Sequence, residues 1–459
     1  MNATRLPGSF RDPAGHIVVR DRDVFRHVTE AGREDYLQLM GSGLCAALVA
    51  ARQLIPHDDL GHPPDAPAET WRVLRPERLP MISYAHEWAF SQLQDAALLT
   101  LAIQRLALAS GMSLKDATSS NVQFHRGRPI LIDTLSFERR PPGPWRAYRQ
   151  FCQEFHAPLA LMAWRDVRLG ELLEVYPHGV PLDLASRILP TRSWFRSGAL
   201  MHLHLHARAE RQSPQPAPAA RKAAGAGARD LVLEPLLDSL ERAVRSLRWT
   251  PAGGWTRYDE TRPSYTEAAL RQKEEIVGAW IEQHKPEVVW DLGANTGRFS
   301  RLAARHGALA VAFDQDPGCV ELAYLAARRD GLECVLPLRT DLTRPSPGLG
   351  WANDERRSLA ARGPADLLLA LALVHHLAIG NNVPLPLVAE QLALLGRALI
   401  IEFVPKNDPM VQRLLVARDD IFPHYTAAGF EAAFASRFRV ERREALAESG
   451  RVLYLMSRT

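Results

Sequence analysis

The sequence predicts a C-terminal doubly wound α/β domain preceded by an N-terminal α+β domain. Three observations carry that expectation. The chain has 459 residues, too many for one ordinary core. A stretch rich in Pro, Ala and Gly, RQSPQPAPAARKAAGAGARD, breaks the apolar periodicity at 211–230 and reads as a linker. Beyond residue 286 short apolar runs alternate with helix-length segments, the pattern of a parallel sheet covered on both faces. The expected division is therefore 1–210, a linker at 211–230, a helical cap or lid at 231–285, and 286–459.

Composition narrows the function classes. Apolar residues make up 46% and charged residues 24%, which excludes a largely disordered chain. A net charge of +4 is too weak a field to imply nucleic acid or an acidic membrane surface as partner. The four cysteines, Cys45, Cys152, Cys319 and Cys334, form no CxxC pair, so neither zinc nor a disulfide framework is implied, and a reducing cytoplasm fits. The apolar stretch AALLTLAIQRLALASG is interrupted by Arg105 and is too short to span a bilayer.

In the first half, GHIVVRDRDVFRHV reads as strands and YAHEWAFSQLQDAALLTLAIQRLALASG as helix. LKDATSSNVQFHRGRPILIDTLSF then spaces Asp116, Asn121 and Asp133 around an apolar hairpin. MHLHLHAR places His202, His204 and His206 at alternating positions; they would share a face on a strand, but the surrounding pattern is helical and spreads them apart. After the linker, Leu233, Leu237, Leu240, Val244 and Leu247 form one helical stripe, expected to cap the next domain. WTRYDETRPSYTEAALRQKEEIV offers Trp255, Tyr258, Tyr265 and Lys273 as a lid, with Lys273 placed to meet a carboxylate; a helix start packed by aromatics is the plainer alternative.

In the second half, EVVWDLG, LAVAFDQD, CVLPLRTD, ADLLLALAL and RALIIEFV read as five buried parallel strands, and FRVERREAL with RVLYLMSR as a terminal pair. The turn after the first strand, DLGANTGRFS, has Gly293 and Gly297 where a ligand's approach would exclude side chains. Counted from Gly293, the third and sixth positions are Asn295 and Arg298, so the three-glycine dinucleotide fingerprint is absent and a pyrophosphate cradle is not expected. Asp291 at the strand end suits a cationic amino group, Asp314 after the second strand suits ribose hydroxyls, and Asp341 after the third suits an adenine amine. The fourth strand runs into LALALVHHLAIGNN, which puts His375 and His376 at the rim. His376 is the preferred proton acceptor because it begins the next turn. A metal reading would add Glu402 after the fifth strand, but adjacent side chains on extended backbone point apart, and no metal is expected.

The pattern D-x-G-x-x-x-G with an acid after strand two and a polar residue after strand three resembles class I S-adenosylmethionine (SAM) methyltransferases. DLGANTGRFS, AFDQDP, LALALVHHLAIGNNVPL and IEFVPKNDPMV are similar to a bacterial group related to rhizobial nodulation host-specificity proteins. The resemblance implies a Rossmann-like methyltransferase domain and SAM as cofactor, bound through Asp291, Gly293, Asn295, Gly297, Asp314 and Asp341. It leaves open whether the acceptor is a small molecule, a saccharide or a peptide. No D/N-P-P-Y signature for gripping an amine is present, which favours oxygen over nitrogen as the reacting atom. LKDATSSNVQF and ILIDTLSFE resemble the catalytic loop and metal-binding strand end of kinases, which implies Asp116 as base and Asn121 and Asp133 on magnesium. Asp133 is followed by Thr134 and Leu135 rather than Phe-Gly, and no lysine precedes Lys115, so the resemblance implies a degenerate kinase-like domain that positions a substrate. A phosphotransferase and a non-catalytic SAM-binding regulator are the competing functions.

Overall fold

The computed structural model describes residues 3–21, 23–64, 66–212, 226–251, 266–416 and 419–459. The chain divides into two compact units, residues 1–249 with 348–356, and residues 250–347 with 357–459.

In the first unit, β1 (Ala3–Arg5), β2 (Gly15–Arg20), β3 (Asp23–Thr29), β4 (His57–Asp59) and β5 (Thr70–Pro76) form an antiparallel sheet in the order β1-β2-β3-β5-β4. The long helix expected from about Tyr84 begins only at Phe90 and runs to Ala109. The reason is local: the Glu87 carboxylate accepts the Tyr84 N–H at 2.9 Å and the Gln92 side-chain oxygen accepts the Ala89 N–H at 2.8 Å, so a separate turn closes first. Two short antiparallel pairs follow, β6 (Met112–Leu114) with β9 (Phe137–Arg139) and β7 (Val122–His125) with β8 (Arg128–Leu131). They frame the segment that carries Asp116, Asn121 and Asp133.

The apolar stripe after the linker is buried as expected, from Leu233 at 6% exposure to Leu247 at 0%. It packs within the first unit, however. Helix Ala226–Ser246 starts inside the expected linker and belongs to the first unit, where it packs on helix Phe90–Ala109. Arg105, the charge that interrupts the apolar stretch, borders this contact and pairs with Glu234 at 2.7 Å, Asp238 at 2.7 Å and Glu241 at 3.1 Å. Gln94 adds hydrogen bonds to the Val244 and Leu247 carbonyls. Residues 213–225 of the linker lie outside the described residues, as do Trp255, Tyr258 and Tyr265 of the expected lid.

The second unit contains β10 (Val288–Leu292), β11 (Leu309–Asp314), β12 (Val335–Arg339), β13 (Ala365–Ala370), β14 (Gly396–Phe403), β15 (Phe438–Ala445) and β16 (Val452–Arg458). Their order is β12-β11-β10-β13-β14-β16-β15, with the first five parallel and β16 antiparallel to both neighbours. The order reverses beside β10, so the carboxyl ends of β10 and β13 flank the switch point where doubly wound sheets bind ligands. Helix Glu267–His284 covers one face through Val277, Trp280 and Ile281, which join Val289, Leu367, Leu369 and Ile400 in one core. Thr266 caps its start by accepting the Ala269 N–H. This helix, placed in the expected cap, is a structural layer of the sheet.

Gly396 opens β14 where the strand passes close to Leu368: a Cβ there would lie 2.3 Å from the Leu368 Cγ. Leu368 is fully buried and cannot retreat. Gly396→Ala should therefore destabilise the second unit by about 1–3 kcal/mol, as overpacked cores do, read as a lowered urea midpoint at unchanged slope.

Candidate functional site

One cleft in the second unit gathers most of the residues that the sequence singled out. Lys273, Asp291, Gly293, Asn295, Asp314, Asp341, His375 and His376 all line it. Gly297 stands just beyond Thr296 at the start of helix Arg298–Arg305, at φ +79°. Glu402 lies behind the cleft wall.

The floor is the turn after β10. Gly293 has φ +74°, and a Cβ there would come within 3.2 Å of the Leu373 Cδ1, so only glycine fits both the conformation and the space. Asn295, at φ +50°, donates its N–H to Asp314 Oδ2 at 2.7 Å. Asp314 Oδ1 accepts the Asp316 N–H at 2.8 Å. Each Asp314 oxygen is thus fixed by one backbone donor, and each retains lone-pair capacity for a further one. Asp291 is buried and accepts from the Ser300 hydroxyl at 2.6 Å. Burial pushes the Asp291 carboxyl up to about 6, opposed by the Ser300 hydrogen bond and the Lys273 charge. Burial likewise raises Asp314 to about 6, against the pull of its backbone donors. Asp341 stands two residues past β12 in a turn, where its Oδ1 accepts from the Thr343 N–H at 2.8 Å and the Thr343 hydroxyl at 2.6 Å.

The two histidines do not sit on extended backbone. After β13 the chain turns through Ala372, at φ +52°, into a helical turn that continues as a π-turn over His376–Gly380. The imidazoles are consequently close, with ring centroids 4.2 Å apart, where the sequence suggested divergence. His375 is 1% exposed, and its Nδ1 has no hydrogen-bond partner among the described residues. Burial, then His376 and Arg451, holds it well below 6.5. His376 is half-buried and is lowered by burial and by Arg451. Both rings are therefore neutral near pH 7.

Lys273 belongs to the helix that covers the sheet rather than to a lid, and the carboxylate it meets is Glu402. Lys273 Nζ donates to Glu402 Oε2 at 2.6 Å and lies 4.9 Å from the Phe299 ring centroid. Glu402 is inside β14 rather than after it, and its Oε1 receives Arg451 Nη1 at 3.3 Å. Arg451 Nε donates to Asp408 Oδ2 at 2.8 Å. Asp408 in turn caps helix Pro409–Leu415 through the Met410 N–H. Neither Arg451 nor Asp408 was singled out from the sequence, because nothing local marks a charge as buried. Among the described residues no group of three His, Cys, Asp or Glu is placed to hold a metal ion.

In the first unit the other motif is also assembled. Asn121 Nδ2 donates to Asp116 Oδ2 at 3.1 Å and to Ser136 Oγ at 2.9 Å, and Ser136 Oγ donates to Asp133 Oδ2 at 2.8 Å. Burial, with the Asp133 charge, raises the Asp116 carboxyl. Asp133 Oδ1 accepts the Leu135 N–H and pairs with Arg26 of β3. No lysine precedes Lys115, but the sheet brings an arginine to this carboxylate instead. Glu154 clamps the same segment, accepting from the Thr118 hydroxyl, the Ser119 N–H and the Ser119 hydroxyl at 2.7–2.9 Å. Arg356, within 348–356, donates to Ser120 Oγ at 3.0 Å. His202 and His204 are buried in a π-turn with both ring nitrogens engaged by Tyr148, Ser239, Ser186 and Ser193 hydroxyls.

The strand order, with its terminal antiparallel pair, and the cleft at the switch point define the second unit as a Rossmann-like domain of the methyltransferase type. At 34% identity over 470 aligned positions, covering 99% of this chain and 96% of the relative, the protein is similar to nodulation protein NoeA of Rhizobium meliloti (strain 1021). The chain belongs to the NoeA family. No protein-family model matches it. Similar solved structures include magnesium protoporphyrin IX methyltransferase (ChlM) from Synechocystis PCC 6803 with bound SAH, S-adenosylhomocysteine (18% identity, 46% of this chain, 96% of that chain, TM-score 0.34). The bifunctional kinase-methyltransferase WbdD is another, at 17% identity, 45% of this chain, 43% of that chain and a TM-score of 0.30. PH0226 protein from Pyrococcus horikoshii OT3 is a third, at 17% identity, 45% of this chain, 100% of that chain and a TM-score of 0.33.

The raised Asp291 carboxyl has a measurable consequence. Below about pH 4 both folded and unfolded chains carry it protonated; between pH 4 and 6 the unfolded chain ionises first, so stability falls as pH rises and levels off above about 6. Asp291→Asn removes that component. Its stability relative to wild type should rise by about 2–3 kcal/mol between pH 4 and pH 7, measured by urea unfolding across that range.

Proposed function

We propose that the second unit is a SAM-dependent methyltransferase whose acceptor reacts through oxygen. The observation that carries the reading is the shared cleft of Asp291, Gly293, Asp314 and the histidine pair at the switch point of the sheet. The residues present fit the cofactor. Asp291 suits its amino group, the Asp314 carboxylate its ribose hydroxyls, and Asp341 with Thr343 its base edge, while Gly293 admits it where a Cβ would crowd the approach. When bound, SAM supplies an electrophilic methyl group on a sulfonium centre.

The chain's own task in such a reaction is alignment, since an in-line displacement gains most from holding the acceptor lone pair opposite the methyl carbon. A hydroxyl acceptor also gives up a proton. His376, at the cleft wall and neutral at pH 7, is the side chain to take it, with His375 packed behind. The sequence carries no D/N-P-P-Y signature for gripping a planar amine, which supports oxygen. The acceptor is a small molecule, a saccharide or a peptide.

For the first unit we propose a kinase-like scaffold that positions substrate and does not transfer phosphate. Asp116, Asn121 and Asp133 are assembled around paired short strands, which supports the kinase-like reading. Against phosphate transfer, Asn121 is spent on Asp116 and Ser136, and Asp133 is held by Arg26 and Ser136. A phosphotransferase acting at this cluster is the competing reading.

Calorimetric titration of the full chain separates them. SAM and SAH should bind wild type and Asp133→Ala alike, Asp291→Ala should lose at least about tenfold in affinity, and Mg-ATP should give no heat. Binding of Mg-ATP that depends on Asp133, with none of SAM, would reverse the assignment.

A further inference from the structure

The cleft carries two buried charges of opposite sign, Asp291 at 2% exposure and Lys273 at 3%. They belong to different elements, the end of β10 and the second turn of helix Glu267–His284, and each feels the other's charge. Glu402, Arg451 and Asp408 extend the cluster behind them, all 4% exposed or less. With Asp291 ionised, two cations, Lys273 and Arg451, face three carboxylates, Asp291, Glu402 and Asp408. An ion placed in such surroundings is costly unless its counter-charge arrives with it.

A ligand end that brings one cation and one anion together meets that condition, because it leaves the cluster's net charge unchanged. An α-amino acid zwitterion is such an end. Its ammonium would meet Asp291, and its carboxylate the Lys273 ammonium, which the 2.6 Å bond to Glu402 Oε2 holds in place. The apolar walls beside them, Leu270 and Phe299, suit the short aliphatic segment between such an end and a nucleoside. We propose that Lys273 is the carboxylate-binding residue for the amino-acid end of the cofactor, positioned by Glu402 and, through it, by Arg451 and Asp408. This deepens the SAM reading and rests on it. It also gives the buried lysine a task beyond packing: the cleft selects a nucleoside that carries an intact amino acid over one that does not.

The test deletes the interaction from both sides. SAH and its analogue lacking only the carboxylate, 5′-deoxy-5′-(3-aminopropylthio)adenosine, are titrated calorimetrically into wild type, Lys273→Met and the charge-balanced double variant Lys273→Met with Glu402→Gln. Loss of the carboxylate should weaken binding to wild type by about 10- to 100-fold, the worth of a charge-assisted hydrogen bond in a buried site. In the lysine variants SAH should fall to the level of the analogue, and the analogue should bind all three proteins within about threefold. Equal affinity of wild type for SAH and the analogue overturns the proposal whatever the variants do. So does an equal fold loss of both ligands in the double variant. Failure of wild type to bind SAH at all strikes instead at the SAM reading beneath it.

Discussion

The second unit is organised around the buried pairing of Lys273 with Glu402, between the covering helix and the sheet. Four charged side chains, Lys273, Glu402, Arg451 and Asp408, run in sequence through hydrogen-bonded contacts of 2.6–3.3 Å. They tie helix Glu267–His284 to β14, the turn before β16, and the start of helix Pro409–Leu415. Such a set is weak evidence for net stability, since each ion has been taken out of water; removing any one member leaves a partner stranded, at a cost of about 3–5 kcal/mol. What the chain gains is position. The ammonium is held at the wall of the cleft, and the nearby imidazoles are held low by burial first, with the Arg451 charge adding to it.

The same economy governs the first unit. The segment from Asp116 to Asn121 is an irregular loop whose polar backbone must be satisfied without sheet or helix. Glu154 does this with one carboxylate oxygen, taking three hydrogen bonds from Thr118 and Ser119. Burial raises the Glu154 carboxyl, and these bonds together with the Arg356 charge oppose it. A loop fixed so firmly presents a defined surface, which suits positioning. Its acids are joined through Asn121 and Ser136, and Asp133 pairs with Arg26.

Much of this was legible in the sequence. The five parallel strands of the second unit fall on the segments that apolar runs marked, because a strand buried on both faces must be continuously apolar. The glycines of the first turn and the acids of the first two strand ends were legible for a similar reason: their chemistry needs those residue types at those places. Three things were not. The stripe from Leu233 to Leu247 announced a buried face without naming its partner, which is helix Phe90–Ala109, with Arg105 paired at the border to Glu234, Asp238 and Glu241. The histidine pair was read on extended backbone, whereas the positive φ of Ala372 turns the chain into a helix and brings the rings together. The charges of Lys273, Glu402, Arg451 and Asp408 are spread over 179 positions, and no local pattern reports that four distant ions share one buried site.

The most direct measurement is a crystal structure of the full chain with SAH. The account predicts the ligand in the cleft after β10, its ribose hydroxyls on Asp314 and its sulfur facing an opening bordered by His375 and His376, with room for an acceptor. A ligand bound elsewhere, or a sulfur sealed from any acceptor by the histidine turn, would contradict catalysis at this cleft.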